Sequence, residues 1–148
     1  MRRIAAAALA VGMSAICAGP ASASTQTTTK WARDANRICA VELAQIHALP
    51  RPVADYVPEA QYLDRAASIV GAATTALSKL PPASSSRAAI GRWIALEWQG
   101  VRLVRQMAAA FRAHDLASVE SMGSTVKQRG AQADAIAIRL GAAICAKS

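Results

Sequence analysis

The sequence predicts an all-α protein, an up-down-up-down four-helix bundle, on three observations. Apolar residues recur at three- and four-residue steps in four separate stretches, and no segment alternates as a half-buried strand does. Prolines separate the early stretches, at Pro50 and Pro52 and again at Pro81 and Pro82. Short connections between four such helices favour antiparallel neighbours. In that arrangement the start of the first helix and the end of the fourth share one end of the bundle, where Cys39 and Cys145 can meet.

Residues 1–23 read as a cleaved signal peptide. Arg2 and Arg3 form a basic start, Ile4 to Ile16 an apolar run too short to span a bilayer, and Ala21-Ser22-Ala23 a small-x-small cleavage site. Cys17 is not expected to carry lipid, because Ser14 and Ile16 stand where a lipobox wants a branched and a small residue. The helical domain is then 24–148. Ser24 to Thr29 is a polar tail.

The first helix is expected from about Thr28 to Leu49, with Trp31, Ala35, Ile38, Cys39, Ile46 and Leu49 on one face. The second is expected to open with Pro58 at its first position and Glu59 in its first turn. Its stripe is Tyr62, Ala66, Ile69, Val70, Ala73, Leu77 and Leu80. The third and central helix, Ser86 to His114, holds two of the three tryptophans and the single phenylalanine. Ala89, Trp93, Leu96, Gly100, Leu103, Val104, Met107 and Phe111 form its main apolar face. Ser84 to Ser86 are expected to cap it. Asp115 reads as the N-cap of the fourth helix, whose inner face is Val119, Met122, Val126, Ala133, Ala137 and Leu140. Gly123, Gly130 and Ala137 are small residues that let a neighbour approach. Gly141 reads as the C-cap, followed by a short tail with Cys145.

With 17 basic and 9 acidic residues the chain carries +8. Without Arg2 and Arg3 it keeps 15 against 9, or +6. Such a balance suits anionic surroundings such as headgroups or wall polymers, and an exported chain has no routine access to nucleic acid. No later segment is apolar enough for a transmembrane helix. Two cysteines remain after the signal, and an even count in an oxidising compartment predicts a Cys39–Cys145 disulfide.

The segment Trp31 to Ala40, WARDANRICA, resembles the start of the mature domain in a group of small exported actinobacterial proteins, mostly uncharacterised, which read A-x-x-I-C-A there and close on LG…C. This chain closes with Leu140, Gly141 and Cys145. The resemblance implies export and the disulfide. It supplies no activity.

Chemistry is sparse. The sequence has no Ser or Cys nucleophile motif on a strand-turn-helix elbow, no HExxH, no glycine-rich phosphate loop, no EF-hand loop and no haem-attachment motif. The expectation is a non-enzymatic domain without cofactor or metal. His47 and His114 each end a helix, at one side of the bundle, and a favourable charge at a helix C-terminus accounts for them more simply than a metal or haem site does. Met107 and Met122 are weaker haem candidates still.

Two patterns remain. Trp98, outside the central helix's main face, shares its side with Arg87, Arg102, Arg105 and Arg112, so the strip reads either as an anion-binding surface or as a half-buried tryptophan under snorkelling arginines. Glu42 and Glu97 fall inside apolar faces, and Arg129 edges the fourth helix's stripe at the same level. An ion pair from Arg129 to at least one of the glutamates is expected. The first functional expectation is binding of an anionic envelope component or another envelope protein, in a secreted or periplasmic location. The alternative is a small-ligand carrier (lipid, haem or metal) with a pocket between its helices.

Overall fold

A computed structural model describes residues 29–52, 55–82 and 84–147; the proposed signal peptide and Cys17 lie outside these residues. Four helices follow in order, α1 (Lys30–His47), α2 (Tyr56–Ser78), α3 (Arg87–Arg112) and α4 (Leu116–Arg139), with no strand among the described residues. The expected all-α fold is what forms. A 3₁₀ turn, Cys145–Lys147, closes the chain.

Each helix starts and stops for local reasons. Thr29, in extended conformation, accepts the Ala32 N–H and caps α1. α2 starts two residues before the expected Pro58. Asp55 is its N-cap and accepts the Tyr56 N–H at 2.7 Å, which leaves Pro58 as the third helical residue. Proline fits there because the first-turn N–H groups have no helical acceptor anyway. Ser84–Ser86 form a 3₁₀ turn that runs straight into α3, so Ser86 gives no side-chain cap. Asp115 caps α4 as expected, accepting the Ser118 N–H at 3.0 Å.

Both α3 and α4 end in a left-handed residue. Gly141 has φ +79°, Gly141 N–H donates to Ile138 and Ala142 N–H to Ala137, the paired bonds of a Schellman stop. The same two bonds close α3, but the left-handed residue is His114, at φ +58°. A Cβ disfavours that conformation. The His114 ring lies 4.2 Å, centroid to centroid, from Tyr56 at the start of α2, and this contact holds the turn against the bundle.

α3 is central because it packs along both α2 and α4, while α1 packs on α2 and on the C-terminal turn. Its buried line is Ile90, Trp93, Val101 and Ala108 rather than the expected Ala89–Phe111 stripe, most of which is half-buried. A helix clasped on two sides buries a broad arc, and its deepest line falls between the two neighbours. On α2, Gly71, Ala67 and Thr74 are buried, and the small residues let α3 come close. The apolar cluster fills the end of the bundle near the disulfide. There Trp31 and Trp93 meet edge to face at 5.8 Å, with Leu77, Ile90, Ala133 and Ala137 around them.

Cys39 and Cys145 form the expected disulfide, with Cα atoms 5.0 Å apart. Both are buried within the apolar cluster. Asn36, three residues before Cys39, holds the same tail. Its side-chain amide donates to the Gly141 carbonyl at 3.1 Å, and its oxygen accepts the Ile144 N–H at 2.9 Å.

Candidate functional site

At mid-bundle the packing gives way to a cavity of ≈ 220 Å³, bordered by all four helices and by Cys145. α2 supplies a neutral wall of Ala66, Ala67 and Val70. α3 supplies Leu96, Glu97, Gly100, Val101 and Val104, and α4 supplies Val126, Arg129, Gly130, Ala133 and Asp134. α1 contributes Glu42 alone. Small residues account for the space. A Cβ at Gly100 or Gly130 would meet nothing within 4 Å. Glycine inside a helix costs about 1 kcal/mol relative to alanine.

The register that brings the three polar residues together follows from helix length. Glu42 and Glu97 lie near the middle of parallel helices, and Arg129 lies at the same level on an antiparallel one, so all three reach one cavity. The expected ion pair does not form. Arg129 makes no salt bridge or hydrogen bond to either glutamate, and its Nε is buried without a partner. The expectation rested on three side chains at one height. They border a space instead of closing on each other, because the glycines and alanines around them leave it unfilled.

The electrostatics are those of crowded acids. Glu42 is 6 % exposed and has no hydrogen bond or ion pair. Burial, with the Glu97 charge added, pushes its carboxyl up to about 7. Burial also raises Glu97, and the Asp134 carboxylate adds to it. The Trp93 indole N–H works against that rise by favouring the charged form. Its geometry falls short of a hydrogen bond, since Trp93 Nε1 is buried without a partner, so we assign it as a polarising neighbour. Asp134 is raised by burial as well. Three carboxyl groups therefore share the cavity with one guanidinium.

Sequence reasoning missed Asp134. It reads as a polar residue beside the stripe, yet it sits three residues before the fully buried Ala137, on the same side of α4. That spacing was the available signal. It also missed Asn36, which lies between Ala35 and Ile38 and looks like an ordinary exposed position.

The arginine strip is arranged differently from the surface reading. Trp98 is half-buried against α2, its ring 3.6 Å from where a Cβ on Gly71 would stand. Arg102 makes no cation–π contact with it among the described residues. Arg87, Arg102 and Arg105 are exposed, and Arg112 pairs with Asp64 of α2. Ile94 packs against the apolar cluster. His47 is exposed, and His114 is engaged by Tyr56. No group of three His, Cys, Asp or Glu side chains is set to hold a metal among the described residues, and no described helix is long and apolar enough to cross a membrane.

Fold and site together define a four-helix bundle whose C-terminal turn is strapped to α1 by a disulfide and whose middle holds an acid-lined cavity. Comparison with family models, curated proteins and solved structures finds no match for the chain.

Proposed function

We propose that this chain is an exported, non-enzymatic domain that holds a small molecule in the cavity at the middle of its bundle. The single observation that carries the reading is the ≈ 220 Å³ space in which Glu42, Glu97, Arg129 and Asp134 converge within an otherwise apolar lining. A concave apolar site with a few converging polar groups is the usual form of a ligand site. The lining offers no hydroxyl or thiol nucleophile, which supports a carrier or sensor over a catalyst. Export is supported by the basic, apolar and small-residue pattern of residues 1–23 and by the disulfide, which suits an oxidising compartment.

Binding of an anionic envelope component is the second reading. The exposed Arg87, Arg102 and Arg105 favour it, while Trp98, half-buried against Gly71, has part of its ring already covered. Native mass spectrometry of protein purified from its own host tests the first reading. A bound small molecule that is lost from Gly100→Leu supports it. A ligand-free protein, with wild type and Gly100→Leu equally stable in host extract, counts against it.

A further inference from the structure

The cavity's charges do not balance, and the imbalance has one sign. Glu42 comes from α1, Glu97 from α3, and Asp134 and Arg129 from α4, while α2 contributes no charged group. Glu42 also borders the outer groove between α1 and α2, whose lining includes the cation Arg37. Arg37 is exposed and pairs with Asp34, so it does not neutralise Glu42. Arg129 does not either, since it bonds to none of the three acids.

A buried carboxyl without a partner is costly, and Glu42, 6 % exposed, is one that faces a space. Arg129, on the same lining, has its Nε buried without a partner, so it leaves the acids unanswered. Glu42 and the Arg129 Nε therefore border the cavity with bonding capacity unused. An anionic guest would meet three carboxyl groups against one guanidinium. A bare metal ion would need a cluster of ligands, and none is set among the described residues. An organic cation meets both halves of the lining. Its charge answers the acids, and its body covers the valines and alanines.

We propose that the cavity binds a small protonated amine, its ammonium group between Glu42 and Glu97 and its apolar body against Val70, Val101 and Val104. This deepens the small-molecule reading above and rests on it. Size sets the scale of the guest. An apolar cavity of about 150 Å³ holds benzene, so ≈ 220 Å³ suits about nine non-hydrogen atoms. Binding is coupled to a proton. An ammonium beside Glu42 favours its ionised form, so the guest displaces the proton that Glu42 holds near neutral pH.

Three probes of one shape test this on the folded, disulfide-bonded protein by titration calorimetry. They are phenethylammonium, phenethyl alcohol and phenylacetate. Phenethylammonium should bind at least about tenfold more tightly than the other two, as a charge-assisted hydrogen bond in place of a neutral one implies. Its heat should vary with the ionisation enthalpy of the buffer, reporting proton release. Glu42→Gln should reduce that buffer dependence, and Glu97→Gln should weaken binding about tenfold. Equal binding of the ammonium and the alcohol would overturn the amine assignment and leave the small-molecule reading standing. Failure of all three probes, with a different molecule found in the host-purified protein, would do the same. Failure of all three probes with no molecule found would remove both.

Discussion

Replacing Cys39 and Cys145 together by alanine removes the covalent strap between α1 and the C-terminal turn. The bond joins residues 106 apart in sequence. In the chain-entropy model, closing a loop of that length removes about 16 cal/mol/K from the unfolded chain, or about 4.8 kcal/mol at 25 °C. A domain of this size has a total stability of about 5–15 kcal/mol, so the loss is a large part of the whole. The structure adds a local reason. α1 packs on α2 and on the C-terminal turn, and that turn is tied to it by the disulfide and by the two Asn36 bonds. With the disulfide gone, the two Asn36 bonds and the packing of Ala142 and Ala146 hold the tail. Urea unfolding followed by circular dichroism measures the effect. At a slope of about 2 kcal/mol/M the midpoint should fall by about 2 M or more. A loss below about 1 kcal/mol would refute the reasoning, since it would mean the loop constrains little in the unfolded chain.

Substitutions at four other positions probe separate parts of the structure. Glu42→Gln tests the buried carboxyl. Its folded value of about 7 lies above the ordinary 4.5, so its contribution is neutral below pH 4.5, lowers stability as pH rises between the two values, and stays unfavourable above 7. The variant should show a smaller decline, since Glu97 and Asp134 remain, and exceed wild type by about 3 kcal/mol at alkaline pH, as unfolding curves across pH will show. Asn36→Ala should cost about 1–3 kcal/mol in urea unfolding, and faster hydrogen exchange should be confined to the tail near Ile144. Gly71→Ala should stabilise α2 by about 0.5–1 kcal/mol, because its Cβ would meet Trp98 at an ordinary 3.6 Å, whereas Gly71→Leu should be destabilising. At His114, glycine relieves the left-handed strain that alanine keeps, and both lose the Tyr56 ring. His114→Gly should therefore be more stable than His114→Ala by about 1 kcal/mol in thermal melts, and equal values would contradict the assigned turn.

The parts of the fold legible in sequence were those with local causes. Prolines 50, 52, 81 and 82 and the caps Asp115 and Gly141 act within a few residues of themselves, so the four helices and their stops could be read directly. The disulfide was legible because the bundle topology left Cys145 near Cys39. Features that depend on neighbours were not. The buried line of α3 runs through Ile90, Val101 and Ala108 because two helices clasp it, and periodicity of one sequence describes one face. The left-handed His114 gives no compositional signal, since glycine is the residue expected there. For the site, Glu42 and Glu97 stood out as acids inside apolar stripes. Whether Arg129 would reach them depended on the volume of Gly100, Gly130 and Ala133 between them, which is a property of three packed helices. Asp134 was hidden for the same reason.

The central claim is that Glu42 and Glu97 border one mid-bundle cavity, close enough for the charge of one to act on the other. Carboxyl-carbon NMR titration of Glu42, in wild type and in Glu97→Gln, tests it most directly. The account predicts a Glu42 midpoint near 7 in wild type and a lower one once the Glu97 charge is removed. A Glu42 midpoint at the ordinary 4.5 in both proteins would contradict it.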